Sequence, residues 1–130
     1  MKKLHITLII IAVVIIGAFV FLRINGEDSW IQDSRGVWIK HGDPSKTPAE
    51  VLEQQDILLC AEELYQKIKM SNIELNSQCL GGCGDYAVDI VHVPRASEDN
   101  LPENQCEDYR LGKLKHFIEF DKNGKIVIIV

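Results

Sequence analysis

The sequence lacks the repeated patterns by which many architectures are recognised. No internal repeat, coiled-coil heptad or low-complexity tract occurs in its 130 residues, which argues against solenoid and fibrous folds. Basic residues are also in the minority, with 14 Lys and Arg against 19 Asp and Glu. Removing the positive charges of Lys2, Lys3 and Arg23 from the formal charge of -5 leaves -8 for the rest of the chain. Because phosphate backbones repel such a surface, no nucleic-acid partner is expected.

Acidic residues are absent from the first 26 positions, where an uncharged and mostly apolar run occupies residues 6–22. As a helix that rises 1.5 Å per residue, this run of 17 residues spans about 26 Å, slightly less than the roughly 30 Å hydrocarbon core of a bilayer. Leu4 and Ile24 can extend it. The pattern predicts a membrane anchor over residues 1–24 that crosses the bilayer as one helix.

The flanks of the run predict its retention and its orientation. No small-residue cleavage site of the A-x-A type follows it, which favours an uncleaved anchor over a cleaved secretory signal. Two lysines precede the run, whereas Arg23 is soon followed by acidic residues. Since basic flanks stay in the cytoplasm, we expect a single-pass membrane protein with a cytoplasmic N-terminus. It would contact the membrane through residues 4–24 and place its C-terminal domain outside the cytoplasm.

Cysteine is absent from the first 59 residues and occurs four times after them, at Cys60, Cys79, Cys83 and Cys106. An even number in an exported domain of about 100 residues predicts two disulfides, formed in an oxidising compartment. Three pairings are possible. We favour Cys60 with Cys79 or Cys83, and the other of those two with Cys106, since this ties a helix to the sheet and a long loop to a glycine-rich turn.

A long amphipathic helix is predicted over residues 48–70. Thr47 and Glu50 have the spacing of a capping box around Pro48, which would occupy the first helical position. Apolar side chains recur at steps of three and four residues, so one face must pack against another element. These side chains are Ile57, Cys60, Ala61, Leu64, Tyr65 and Ile68.

Short strands are predicted on both sides of this helix. Residues 37–40 alternate weakly before it, and the segments after it that have strand composition are 73–77, 86–93, 114–120 and 125–130. An Asn-Gly pair at positions 123 and 124 predicts that the last two strands form a hairpin, because both residues tolerate positive φ.

The predicted fold class is therefore α+β. It consists of the single N-terminal transmembrane helix, a tether over residues 25–36 and an extracytoplasmic domain over residues 37–130. In that domain the amphipathic helix packs on a small antiparallel sheet of three to five strands, and the disulfides staple the two together.

Residues 94–112 are predicted to form a long loop that Cys106 fastens to the domain. Binding residues usually lie on loops that a rigid scaffold holds in place. Residues 95–110 of this loop and the glycine-rich turn at residues 81–86 are therefore the predicted contact surface. The candidate binding residues are Asp85, Arg95, Asp99 and Asn104.

A catalytic alternative rests on residues 82–87 (GCGDYA) and 116–120 (HFIEF). These segments resemble the Cys and His segments of transglutaminase-like cysteine peptidases. The resemblance implies a thiol hydrolase with Cys83 as the nucleophile and His116 as its base. The chain departs from that family in two respects, since residues 86–93 have strand rather than helix composition and no Asp follows in the last strand to orient the His.

A metal site is a further alternative, since Cys79 and Cys83 have an allowed Cys-x3-Cys spacing and His92 and His116 could complete a set of four ligands. Exported thiols oxidise before they capture zinc, so no metal and no cofactor is predicted.

An apolar N-terminal helix followed by an antiparallel sheet and a disulfide loop resembles pilin-like envelope subunits, which implies filament membership. Those precursors carry a Gly before the apolar stretch and a Glu shortly after it, and residues 3–8 (KLHITL) have neither. With these alternatives open, the sequence favours a non-enzymatic binding or structural module of the cell envelope, with an envelope protein as its partner.

Overall fold

The computed structural model describes residues 2–24 and 28–130, with side chains described for residues 5–21 and 28–130. The chain divides into two compact units. One unit comprises Met1–Ser29 and Lys40–Ser45, and the other comprises Trp30–Ile39 and Lys46–Val130. The predicted domain boundaries after residues 24 and 36 stay predictions, and residues 25–27 of the predicted tether lie outside the described residues.

Helix α1 comprises Lys2–Ile24 and exposes large apolar side chains along its described length, from Ile6 to Phe21. Among the described residues, no helix combines the length and the apolar character that crossing a membrane requires. The prediction that α1 is a transmembrane helix is therefore wrong. The uncharged run of 17 residues spans about 26 Å, and the extension expected from Leu4 and Ile24 falls on side chains outside the described set.

Strands β1 (Ser29–Gln32) and β2 (Trp38–His41) form a two-stranded sheet. The prediction placed β2 correctly to within one residue but assigned β1 to the tether. A turn between the strands closes on Asp33, whose carboxylate accepts hydrogen bonds from the amides of Arg35 (2.8 Å) and Val37 (3.1 Å). An Asp that bonds to the backbone two residues ahead makes such a turn without help from more distant residues.

Helix α2 comprises Ala49–Met70 and confirms the predicted amphipathic helix. Pro48 is its N-cap and no side chain caps it, so the predicted capping box is wrong. The carbonyl of Pro48 accepts hydrogen bonds from the amides of Val51 and Leu52, which begins the helix without Thr47. Residues of the predicted stripe lie in the core, with Ala61 and Tyr65 fully buried.

The second sheet has four strands in the order β3-β4-β5-β6. Its strands are β3 (Gln78–Cys83), β4 (Tyr86–Ile90), β5 (His116–Phe120) and β6 (Ile126–Ile129). The outer pairs are antiparallel, but β4 and β5 are parallel, so the predicted antiparallel sheet is wrong. The connection over residues 91–115 causes this, because it returns the chain to the end of the sheet at which β4 begins.

Strand β3 includes residues 81–83, which were predicted to belong to the glycine-rich turn. The predicted strand over residues 73–77 is not formed. A β-bulge interrupts the pairing of β3 with β4 between Cys79 and Gly81. Without it, Cys79 and Cys83 would lie on the same face, since side chains alternate with a period of two. The extra residue turns them to opposite faces.

The four-stranded sheet is covered on both faces. Helix α2 covers one face, where Val88, Ile90, Ile118 and Phe120 join Tyr65 in the core. Asp89 and Glu119 alternate with these residues and therefore lie on the other face. That face meets the segment that follows β4, which forms two 3-10 turns (Ser97–Asn100 and Pro102–Asn104) and the short helix α3 (Glu107–Arg110). The predicted β5–β6 hairpin with its Asn-Gly turn is confirmed.

Candidate functional site

Two disulfides are present, as predicted. They join Cys60 to Cys83 and Cys79 to Cys106, which is one of the two favoured pairings. The bulge in β3 makes this pairing possible, because it directs Cys83 towards α2 and Cys79 towards the segment on the opposite face. One bond therefore fastens the helix to the sheet, and the other fastens the long connection to it.

Asp99 anchors the start of that connection. Its buried carboxylate accepts hydrogen bonds from the amides of Ala96 (2.8 Å) and His92 (3.1 Å), and Nδ1 of His92 lies 2.9 Å from it. Burial by itself would raise the pKa of Asp99, but these hydrogen bonds outweigh it and the pKa is lowered. Asp99 is thus held as an anion that orders the segment around it.

A cavity of about 120 Å³ lies between the sheet and the connection. Strands β4 and β5 contribute Asp89, Phe117 and Glu119 to its wall, together with Ile90 and Val91. The connection contributes Arg95, Asp99, Asn104, Gln105 and Tyr109. The ring of Tyr109 packs edge-on against Phe117, with centroids 5.4 Å apart, and gives the cavity an aromatic side.

Arg95 and Glu119 form an ion pair in this cavity. The Arg95 Nη1 group donates to both carboxylate oxygens of Glu119 at 2.8 Å, and Glu119 is 6% exposed. This hydrogen bond and the negative charge raise the pKa of Arg95. The ion pair with Arg95 offsets part of the cost of burying the charge of Glu119.

Asp89 lies beside Glu119 in the parallel register of β4 and β5. Burial, followed by the charge of Glu119, raises the pKa of Asp89 to about 6, against the opposing effects of the Cys106 amide and Arg95. Among the described residues, Asp89 has no ion-pair partner. It is therefore the carboxyl group of this cavity that can exchange a proton near neutral pH.

The structure brings three of the four candidate binding residues together, since Arg95, Asp99 and Asn104 all line the cavity. Asp85 is not among them. It lies in the β3–β4 turn, where its backbone carbonyl accepts a hydrogen bond from the amide of His116. Whether these residues bind a partner stays a prediction.

Sequence reasoning did not select Asp89, Glu119 or Tyr109 for this site. The available signal was an acidic residue inside an otherwise apolar strand, at Asp89 in residues 86–90 and at Glu119 in residues 116–120. A buried strand accepts a carboxylate only where another group compensates it.

The catalytic alternative requires a free thiolate at Cys83, and the structure gives that sulfur to the disulfide with Cys60. Cys83 is also 1% exposed, so no substrate reaches it. His116 is exposed and stacks on Tyr86, with ring centroids 4.8 Å apart. The structure therefore does not support a Cys83–His116 pair.

The suggested metal ligands are not assembled either. Cys79 and Cys83 face opposite sides of the sheet, and His92 is engaged with Asp99. Sulfur and oxygen atoms of Cys79, Asp89 and Cys106 do lie within 4.8 Å of one another. Both sulfurs are bridged, however, so they offer no thiolate to a metal ion.

Comparison with protein-family models, with curated proteins and with solved structures finds no match to this chain. The function must therefore be argued from the site itself.

Proposed function

We propose that the chain is a binding module of the cell envelope whose cavity at Asp89 receives a basic side chain of a partner protein. One observation carries this proposal: Asp89, Arg95, Asn104 and Glu119, from three separate segments, converge on one cavity. The disulfide at Cys106 and the anchor at Asp99 hold the covering segment in place, which provides the rigidity that binding loops require.

The size of the cavity favours the tip of a side chain over a free metabolite. Its volume is about 120 Å³. Sites for small organic ligands usually measure about 300 to 1,000 Å³. This small volume favours an ammonium group with one or two methylene groups over a whole metabolite.

The charge of the cavity favours a cation. The wall carries three carboxyl groups and one arginine, and Arg95 pairs with Glu119. Asp99 contacts His92, and among the described residues ionised Asp89 has no ion-pair partner. A bound ammonium group would stabilise the ionised form of Asp89, so its affinity should rise as the pH passes about 6. The acidic balance beyond α1 acts in the same direction over longer distances.

An NMR titration of the full chain with butylammonium chloride, at pH 7.5 in a mild detergent, tests the proposal. We expect saturable amide shifts confined to residues around Asp89 and Glu119, weaker at pH 5 and lost in the Asp89→Asn variant. Sodium acetate is the ligand control. Glu103→Gln, which removes an exposed charge from the same segment, is the variant control. Shifts spread over the acidic surface, or equal in both variants, would refute a site at Asp89.

A location outside the cytoplasm is part of the proposal and is supported by the two disulfides, which form in oxidising compartments. Alkylation of whole cells without reductant, followed by mass spectrometry, should leave Cys60 and Cys83 unlabelled. Label on Cys60 or Cys83 would place the domain in a reducing compartment. Membrane contact through residues 4–24 stays a prediction, which recovery of the chain in the soluble fraction after gentle lysis would contradict.

A further inference from the structure

The two disulfides differ in their access to solvent. Cys60–Cys83 lies in the core, where Cys83 is 1% exposed and Cys60 is partly buried. In the Cys79–Cys106 bond, Cys79 is exposed whereas Cys106 is 2% exposed. A thiolate from outside can therefore approach Cys79 but not Cys106. Access of this kind distinguishes exchangeable disulfides from structural ones.

A carboxyl group lies against the buried sulfur of this bond. Oδ1 of Asp89 is 3.0 Å from Sγ of Cys106, and Asp89 is also the cross-strand neighbour of Cys79. A bridged sulfur carries no hydrogen, so this contact is a hydrogen bond when Asp89 is protonated and donates to sulfur. A proton donor thus stands at the sulfur that would leave if Cys79 were attacked.

A groove of about 240 Å³ runs beside the same bond. Its floor includes Cys79, Cys106, Gly81 and Gly82. The Cβ position of Gly82 faces Leu114 of the groove, so this glycine presents no side chain to block an approaching peptide. Glu107, Asp108 and Leu114 complete its wall. The exposed residue Cys79 therefore borders a groove that a second polypeptide can occupy.

We propose that Cys79–Cys106 is an exchangeable disulfide that oxidises a pair of thiols on a second exported protein, with Asp89 as the catalytic proton donor. This activity goes beyond the binding function proposed above. Cys60–Cys83 remains the structural bond that keeps the domain folded while Cys79–Cys106 opens.

The reaction proceeds in two exchanges. A thiolate of the partner attacks Sγ of Cys79, which forms a mixed disulfide and breaks the Cys79–Cys106 bond. The electron pair goes to Sγ of Cys106, which takes the proton of Asp89 and becomes a thiol. The partner's second thiolate then attacks its own sulfur in the mixed disulfide and releases Cys79 as a thiolate. The partner loses two electrons, and the domain gains them.

The first test maps where a small thiol attacks. The folded full chain is incubated with reduced glutathione, trapped with N-ethylmaleimide and digested for peptide mass spectrometry. We expect glutathione on Cys79, maleimide on Cys106 and an intact Cys60–Cys83 bond. Glutathione on Cys106, or opening of Cys60–Cys83 at an equal rate, would overturn the proposal.

The second test follows the rate of this step, divided by the concentration of glutathione thiolate, from pH 4.5 to 8. The wild-type rate should fall as the pH rises through about 6, because Asp89 loses its proton there. Asp89→Asn should be slower at pH 5 by about tenfold or more and should show no such fall. Glu103→Gln should match the wild type. Equal profiles for wild type and Asp89→Asn would remove Asp89 from the mechanism.

Other titratable groups near Asp89 must be considered in that profile. Those on the sheet and the covering segment are Glu119, Arg95, Asp99 and Tyr109, and those of the groove are Glu107 and Asp108. The Asp89→Asn variant retains all of them, so the difference between the two profiles isolates Asp89. If this variant does not fold, the site of attack in the wild type still tests the exchange at Cys79, and the fall of the wild-type rate through about pH 6 still tests the proton donor. Neither test uses an ammonium ligand, so their failure is separate from failure of the proposed binding.

Discussion

Replacing Asp89 with Asn should stabilise the domain at neutral pH and leave its stability nearly unchanged in acid. The side chains have the same shape, and the amide cannot ionise. In the folded chain the pKa of Asp89 is raised to about 6 from an ordinary value of 3.8, by burial and then by Glu119. The folded state therefore holds a proton between these pH values that the unfolded chain has released.

The sign and the size follow from this difference. Below about pH 4 both states are protonated and the full contribution to stability is present. It is lost as the pH rises through about 6, at about 1.4 kcal/mol per pH unit, which gives an upper limit of about 3 kcal/mol. Because Asp89 is only partly buried, solvent screening reduces the expected change to about half of that limit, roughly 1.5 kcal/mol.

Urea denaturation of the full chain in detergent, with both disulfides intact, measures the effect at pH 3.5, 5, 6 and 7.5. Other carboxyl groups titrate in both proteins, so the difference between Asp89→Asn and wild type isolates this residue. That difference should grow in favour of the variant up to about pH 6 and then stay constant. A difference that is independent of pH, or that favours the wild type at pH 7.5, would refute the argument that burial opposes ionisation of Asp89.

Two further predictions concern packing and charge. Gly124→Ala should cost about 3 kcal/mol, because the residue has φ +81° and an added Cβ would lie 2.6 Å from the Tyr65 ring. Gly112→Ala should cost only about 1 kcal/mol, since its φ of +71° is similar but the space beyond it is open. If the two variants lose equal stability in urea denaturation, Gly124 is required only for its positive φ and not for the space beside Tyr65. Arg95→Met should cost about 2 to 3 kcal/mol at pH 7, because Glu119 stays buried without its partner, and Arg95→Met/Glu119→Gln should recover most of that loss. If the double variant is no more stable than Arg95→Met, the unpaired buried charge of Glu119 is not the cause of the loss.

The features predicted correctly are those that a short stretch of chain specifies. The apolar spacing between residues 57 and 68 predicted the buried face of α2, because a helix repeats every 3.6 residues whatever it packs against. Asn123 and Gly124 predicted the β5–β6 hairpin, and Gly124 adopts positive φ in its turn. The count of cysteines predicted two disulfides.

The strand features that were predicted wrongly depend on distant partners. Residues 78–83 (QCLGGC) have two glycines and little strand propensity, yet they form β3 because β4 supplies the hydrogen bonds. The apolar length of α1 was judged sufficient to cross a membrane, and no described helix meets that requirement. The direction of β5 relative to β4 depends on the path of the connection, which composition does not reveal.

The sequence by itself determined the acidic balance, the number of cysteines, the amphipathic helix and the hairpin turn. The tertiary structure alone decided which cysteines meet and which carboxyl groups share a cavity. A one-residue bulge directs Cys79 and Cys83 to opposite faces, and the parallel register places Asp89 beside Glu119. Strand register is set by pairing between segments about 30 residues apart, and a shift of one residue would move every side chain of a strand to the other face.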